Sequence, residues 1–167
     1  MVEVIDNFLP KDIFVEMQYK ILANDFPWYY NNGIVGPHQK NKYQFVHTFF
    51  NCDINFSNLH NEYYNFIDPC LHKLGVKHLK RVKANLNPRS AKIIRHGFHI
   101  DVPEEWADDV TTSIYYVNSN NGYTEFEDGT KIESVENRLV SFPAKMRHSG
   151  TTCTDKQARV VINFNYF

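Results

Sequence analysis

The stretch Thr111-Thr112-Ser113-Ile114-Tyr115-Tyr116-Val117-Asn118-Ser119-Asn120-Asn121-Gly122-Tyr123-Thr124-Glu125-Phe126-Glu127-Asp128-Gly129-Thr130-Lys131-Ile132 consists of short apolar and aromatic runs broken by turn-forming residues. β-Branched and aromatic side chains suit a pleated, half-buried surface. Asp128-Gly129, flanked by Phe126 and Ile132, reads as a two-residue hairpin turn. The same style continues from Lys80 to the C-terminus and predicts strands at 80–87, 92–100, 111–117, 123–127, 130–134, 138–142 and 158–166. No helix intervenes between these strands, which disfavours a parallel βαβ sheet and points to an antiparallel sandwich or barrel.

Upstream, Pro10 precedes Ile13, Phe14, Met17, Ile21 and Leu22 at helical spacing, predicting an amphipathic helix that ends near Asn24. Tyr43, Phe45, His47 and Phe49 alternate with their neighbours as a strand does. A second helix is predicted from about Asn58, with Leu59, Tyr63, Phe66 and Ile67 on one stripe, a kink or restart at Pro69 and a C-cap at Gly75. Residues 26–41, with Trp28-Tyr29-Tyr30 and a polar glycine-bearing tail, form a loop that is either a lid over a site or a segment anchored by its aromatics. The fold class is α+β and mainly β: one domain over 1–167, with helical support in 1–79 and a β core in 80–167.

At 167 residues the chain builds one sizeable core and is too short for two ordinary domains. Hydrophobic residues at 43% and charged residues at 22% are globular values, and aromatics at 15% fit a β-rich core. The net charge of −1 supplies no overall positive field for nucleic acid or an anionic membrane. Cys52, Cys70 and Cys153 are odd in number and widely spaced, which favours free thiols over a disulfide frame or a zinc knot. The first residues carry acids where a signal peptide needs bases, and no run approaches the ~20 apolar residues of a membrane span. The expected location is the cytoplasm.

The chemistry concentrates in Gly97-Phe98-His99-Ile100-Asp101, followed in order by His148 and Arg159. A strand points alternate side chains to one face, so His99 and Asp101 aim at one point while His148 arrives from another strand. Two imidazoles and one carboxylate on one face are the ligand set of a non-heme Fe(II) site. In the final strand Arg159, Val161, Asn163 and Asn165 share a face. An arginine and two asparagines facing inward are costly to bury without a partner. A bound carboxylate is such a partner, met by the fork of the guanidinium. His38, His47, His60, His72, His78 and His96 show no metal-like spacing and are read as surface or packing residues. Arg89, Arg95, Trp106 and Arg147 lie near the motif and are candidates for a substrate entrance.

With these motifs the chain resembles the 2-oxoglutarate/Fe(II)-dependent dioxygenases, in the prolyl-4-hydroxylase-like branch and its small stand-alone members of phage and bacterial type. Arg81-Val82-Lys83-Ala84 resembles the strand before the HxD of that branch, and His99-Ile100-Asp101 is similar to the HxD itself. Ser113-Ile114-Tyr115-Tyr116-Val117-Asn118 resembles its IYYLN strand, and Gly122-Tyr123-Thr124-Glu125-Phe126 the turn that follows. Phe142-Pro143, His148 and Arg159 complete the order, and Val4-Ile5-Asp6-Asn7-Phe8-Leu9-Pro10 is similar to the start of that family.

The resemblance implies a double-stranded β-helix, or cupin-like jelly roll, buttressed by N-terminal helices. It implies His99, Asp101 and His148 as catalytic iron ligands, and Arg159 paired with the far carboxylate of 2-oxoglutarate. Tyr116, rather than the adjacent Tyr115, is expected to support that carboxylate. Where the branch often has a tyrosine for the near carboxylate, this chain offers Asn85, Asn87 and Arg89, of which Asn85 is taken. The implied cofactors are Fe(II), 2-oxoglutarate and O2, with ascorbate supportive in vitro. The implied reaction is hydroxylation of a C–H bond coupled to decarboxylation of 2-oxoglutarate to succinate and CO2. The iron then carries the hard chemistry while the protein positions substrate and excludes water.

A prolyl or other protein side-chain hydroxylase is the first expectation, and a small-molecule or nucleic-acid oxygenase of the same superfamily the second. The nucleic-acid branch carries a further arginine where this chain has Asn165. A third reading is a non-enzymatic cupin-like metal-binding module, although cupins favour HxH with a later Glu. Partners are thus a peptide or small molecule, with nucleic acid and membrane not expected.

Overall fold

A computed structural model describes residues 1–35, 42–52 and 63–167. Its elements are β1 (Glu3–Ile5), α1 (Lys11–Ile21), β2 (Tyr29–Asn31), β3 (Gln44–Asn51), α2 (Asp68–Leu74), β4 (Leu79–Pro88), β5 (Thr111–Tyr116), β6 (Tyr123–Phe126), β7 (Lys131–Glu133), β8 (Arg138–Pro143), β9 (His148–Gly150) and β10 (Ala158–Tyr166). Seven strands form an antiparallel sheet in the order β1-β8-β5-β10-β4-β3-β2, and a second sheet is ordered β7-β6-β9. The N-terminal half therefore supplies β1, β2 and β3 to the large sheet as well as the helices. No helix among the described residues is long and apolar enough to cross a membrane.

Strand parity divides the large sheet into two faces. Val82, Ala84, Tyr115, Leu139, Val160, Ile162 and Phe164 point to the outer face and pack with Phe14, Met17 and Ile21 of α1 and Cys70 and Leu71 of α2. The i, i+3, i+7 spacing of the α1 residues makes this face continuous. The inner face presents Ile114, Tyr116, Val140, Phe142 and Val161 to Phe126 and Ile132 of the small sheet. Each fully buried aliphatic or aromatic side chain of this kind contributes about 1.5–3 kcal/mol, and together they hold the sheets face to face.

Local rules explain the element ends. Helix α1 stops at Ile21, short of Asn24, with Leu22 as its C-cap. Among the described residues the second helical stripe is a 3-10 turn at Tyr64–Phe66 followed by α2, so Pro69 restarts the helix in its first turn, where its missing N–H costs nothing. Gly75 caps α2 in the left-handed region at φ 64°. The predicted helix start at Asn58 and Leu59 lies outside the described residues, as do His38 and His60.

Two strand expectations are corrected. The Asp128-Gly129 turn closes through Phe126 N–H to Thr130 O (2.9 Å) and Gly129 N–H to Phe126 O (3.0 Å), which makes residues 127–129 a three-residue loop. Gly129 takes the left-handed position at φ 87°, as such loops require. Residues 92–100 form no regular strand either. They run along β9 through two isolated bridges, Arg95 to Thr151 and His99 to His148, and the chain breaks between them at Gly97, φ 110°. His148 does sit on a strand, as expected, but the sequence gives no range for β9 because three residues are too few to show alternation.

A Cβ added at Gly97 meets nothing within 4 Å, so its replacement costs backbone strain alone. Gly97→Ala is expected to lower folding stability by about 1–3 kcal/mol, read as a fall in the urea midpoint with an unchanged slope. An unaltered midpoint would contradict the conformation given to Gly97.

Candidate metal centre and its cavity

His99, Asp101 and His148 converge between the two sheets, with one ligand atom from each lying within 4.8 Å of the others. Backbone pairing sets this convergence. His99 N–H donates to His148 O and His148 N–H to His99 O, both at 3.0 Å, so the two residues sit directly opposite one another. Their rings lie 4.8 Å apart at the centroids. Asp101 Oδ1 is 3.7 Å from His99 Nε2 and Asp101 Oδ2 is 3.5 Å from His148 Nε2. Ligands on one octahedral face, at bond lengths of about 2.1 Å, stand roughly 3 Å apart, so small side-chain rotations close this set around an ion.

The imidazole tautomers suit a metal. His99 Nδ1 lies 3.1 Å from Gly97 O and His148 Nδ1 lies 3.3 Å from Met146 O. A carbonyl only accepts, so each Nδ1 carries the proton and each Nε2 presents a lone pair. Burial lowers the pKa of His99 further, although Asp101 pulls the other way. Burial alone would raise the carboxyl of Asp101, but His148, Arg81 and His99 outweigh it and hold the group well below the usual carboxylate range.

A shell that the sequence reading missed orients Asp101. Arg81 Nη2 donates to Asp101 Oδ1 (3.2 Å) and Asn163 Nδ2 to Asp101 Oδ2 (3.0 Å). Arg81 Nε also donates to Asn165 Oδ1 (3.2 Å), and Asn165 Nδ2 to Thr112 Oγ1 (3.0 Å). Asn163 and Asn165 point inward, as strand parity predicts, but their partners are protein groups rather than a bound carboxylate. Cross-strand register was the signal, since Asn165 pairs with Arg81 and Asn163 with Lys83.

Arg159 does face the cavity, at its far end. It is 2% exposed, with Nε donating to Ser134 Oγ (2.9 Å) and Nη2 to Thr124 Oγ1 (3.0 Å). Among the described residues no carboxylate lies within ion-pairing distance of it. Burial lowers its pKa, with nearby Tyr116 acting in the opposite sense. Its guanidinium carbon sits 5.6 Å from the Tyr116 ring centroid, and the Tyr116 hydroxyl donates to the same Thr124 Oγ1 (2.9 Å). Tyr115 points to the outer face and donates to Asn137 Oδ1 (2.8 Å). Asn137 also exchanges side-chain hydrogen bonds with both backbone groups of Leu9 (2.8 and 2.9 Å), so Tyr115 fastens the N-terminal segment and not the site. A Cβ at Gly122 would stand 2.7 Å from Arg159 Cδ, so only glycine leaves room for that side chain.

A cavity of about 310 Å3 connects the His-Asp-His cluster to Arg159. Asn85 and Asn87 line it as expected from β4, and Asn87 Oδ1 is buried without a partner. His96 lines it too, contrary to its reading as a surface or packing residue. The left-handed turn at Gly97 breaks strand alternation, bringing His96 and His99 to the same side. His47, by contrast, packs against Phe26 and Phe49, with ring centroids 4.7 and 4.6 Å away. Arg89, Arg95, Trp106 and Arg147 are absent from the described wall. Arg95 pairs with Glu125 (2.9 Å), Arg147 with Glu127 (2.8 Å), and Trp106 stacks edge-on against Phe167. In the candidate lid, Phe26 and Trp28 are anchored in the outer core while Ile34 and Val35 line the cavity. Residues 36–41 lie outside the described part.

Burial, together with Arg159, Lys42 and His99, pushes His96 from 6.5 down to about 3. A group with a depressed folded pKa binds its proton in the unfolded chain first, so stability falls as pH drops from the unfolded value toward the folded one. The metal-free protein is expected to lose stability between pH 6.5 and 3, with His96 contributing on the order of 2–3 kcal/mol of that loss at about pH 4.5. His96→Gln should flatten that part of a stability–pH profile measured with urea, and an unchanged slope would refute the assignment.

No protein-family model matches the chain, and comparison with curated proteins gives no match. Solved structures do match. A Pseudomonas putida prolyl-4-hydroxylase superposes with a TM-score of 0.62 at 13% identity, covering 99% of this chain and 91% of the other. A Trichoplax adhaerens prolyl hydroxylase, in complex with a hypoxia inducible factor oxygen degradation domain peptide fragment, gives 0.59 at 19% identity, covering 99% and 83%. The non-heme alpha ketoglutarate dependent carbocyclase SnoK of nogalamycin biosynthesis gives 0.69 at 8% identity, covering 99% and 78%. The chain has the double-stranded β-helix fold that these enzymes share.

Proposed function

We propose that this protein is an Fe(II)- and 2-oxoglutarate-dependent oxygenase that hydroxylates a C–H bond of its substrate. The observation that carries this reading is Arg159, a buried guanidinium lacking a carboxylate partner among the described residues, in the same cavity as a two-histidine, one-aspartate cluster. A buried charge left uncompensated is costly, and a dicarboxylate that reaches the metal at one end relieves that cost at the other.

The residues fit both groups. His99, Asp101 and His148 would hold the iron through two imidazole Nε2 atoms and a carboxylate that Arg81 and Asn163 orient by hydrogen bonds. Arg159 would take the far carboxylate, with Thr124 and Ser134 fixing the plane of its fork. Asn85 and Asn87 line the wall between the two ends and offer carboxamides to the cosubstrate. When bound, iron and 2-oxoglutarate supply an oxidant from O2, releasing succinate and CO2 as one oxygen atom enters the substrate. Apolar Ile100, Ile114 and Val161 on the cavity wall limit water there.

The substrate is proposed to be a protein side chain or a small molecule. The prolyl hydroxylases among the structural relatives, one of them holding a peptide, support the first, and the carbocyclase supports the second. A nucleic-acid substrate is disfavoured by the net charge of −1 and by Asn165, which is occupied with Arg81. Three free cysteines support work in a reducing compartment, the cytoplasm.

Purified protein given Fe(II), ascorbate and 2-oxoglutarate is expected to release succinate, and host lysate to yield products heavier by about 16 Da, the mass of one inserted oxygen atom. Absence of succinate under all conditions would defeat the reading. Asp101→Ala should abolish Fe(II) binding. Arg159→Ala should leave metal affinity intact and weaken 2-oxoglutarate binding by roughly 10- to 100-fold, the value of a charge-assisted hydrogen-bonded pair. Titration calorimetry separates the two effects.

A further inference from the structure

We propose that Lys83 binds an anionic group of the substrate, a carboxylate or a phosphate, so that the protein is a hydroxylase of acidic substrates. The inference rests on the oxygenase reading and deepens it.

Lys83 lies on the site face of β4, between Arg81 and Asn85, with Asn163 opposite it on β10. Its neighbours are committed. Arg81 holds Asp101 and Asn165, Asn163 holds Asp101, and Arg159 is clasped by Thr124 and Ser134 at the far end. Lys83 lines the cavity and, among the described residues, its ammonium makes no hydrogen bond or ion pair.

Charge bookkeeping then decides what it awaits. The described wall carries three cations, Arg81, Lys83 and Arg159, and a single acid, Asp101. With iron and 2-oxoglutarate in place, one cosubstrate carboxylate answers Arg159. The other carboxylate and Asp101 together balance the divalent ion. The one charge of Asp101 is thereby spent on the ion, so Arg81 and Lys83 both keep a positive charge. Arg81 is tied by hydrogen bonds to Asp101 and Asn165, and among the described residues Lys83 is the one left with its donors unused. A part-buried ammonium without a partner is less favourable than one joined by an anion. Burial, with a smaller push from Arg81 and an opposing pull from Asp101, lowers the Lys83 ammonium to about 8. Ile34 and Val35 line the same cavity and suit the carbon skeleton that would carry the acid.

The test uses protein loaded with Mn(II) and saturating 2-oxoglutarate, and titration calorimetry with matched probes. L-glutamate against L-glutamine represents a free acid, N-acetyl-L-glutamate α-amide against N-acetyl-L-glutamine α-amide represents an acidic side chain in a peptide, and inorganic phosphate is the third probe. At least one probe acid should bind about ten-fold more tightly than its amide, or phosphate should bind measurably, in the wild type and in Lys83→Arg. In Lys83→Met and Lys83→Gln that preference should vanish while 2-oxoglutarate affinity stays within about two-fold. The pair that responds tells a free acid from a peptide side chain. The proposal is overturned if the preference survives in the neutral variants, or if no acid or phosphate binds preferentially. It is also overturned if the neutral variants lose 2-oxoglutarate affinity by about ten-fold, which would assign Lys83 to the cosubstrate. Failure of the wild type to bind Mn(II) and 2-oxoglutarate, seen before any probe is added, counts against the oxygenase reading itself.

Discussion

Sealing Arg159 between two β-sheets is the constraint around which this molecule is arranged. The side chain belongs to β10, the central strand of the large sheet, yet its hydrogen-bond partners Thr124 and Ser134 come from β6 and from the residue that follows β7 in the small sheet. Its stem needs the space that Gly122 leaves open. Tyr116 lies beneath it and shares Thr124, so one hydroxyl joins the guanidinium to the phenol. Hydroxyls satisfy the geometry of an arginine but leave its charge unbalanced, and in a low-dielectric interior that imbalance is what gives the cavity its appetite for an anion.

The same economy of charge shapes the other end. Asp101 would be costly to bury alone, but His148, Arg81 and His99 keep it ionised while Arg81 and Asn163 hydrogen-bond its two oxygens. Each histidine gives its Nδ1 proton to a carbonyl two residues back in its own chain. The metal-facing lone pairs are therefore fixed by local backbone geometry, before any ion arrives. Hydrogen bonds of this kind orient metal ligands and raise their basicity.

What the sequence made legible follows from the reach of each signal. Alternation over the nine residues of β10 is long enough to fix parity, and it placed Arg159, Val161, Asn163 and Asn165 on the inner face correctly. Parity cannot say who meets whom, because partners are set by register between strands distant in sequence. Asn165 was thus expected to greet a ligand and instead meets Arg81. His96 was lost for a different reason: a single glycine with positive φ resets the alternation, and a two-residue periodicity cannot anticipate it. The Tyr115-Tyr116 choice could be narrowed by resemblance, but only the opposite faces of β5 separate a tyrosine beside Arg159 from one that clamps Asn137.

The two sheets also carry different halves of the chemistry, and this bears on what a ligand does to the fold. The large sheet brings the cations Arg81, Lys83 and Arg159, while the small sheet brings His148 and the hydroxyl of Thr124. An ion held by His99, Asp101 and His148 would sit on the β9 side, and a dicarboxylate reaching from it to Arg159 would tie that side to the large sheet. Whatever binds only the folded state stabilises it by RT ln(1 + [L]/Kd), about 2.7 kcal/mol when ligand stands at about a hundred times Kd. That contribution adds to the apolar contacts that hold the sheets face to face. The unloaded protein bears three cations against one acid along one wall, an imbalance that an anion entering the cavity reduces.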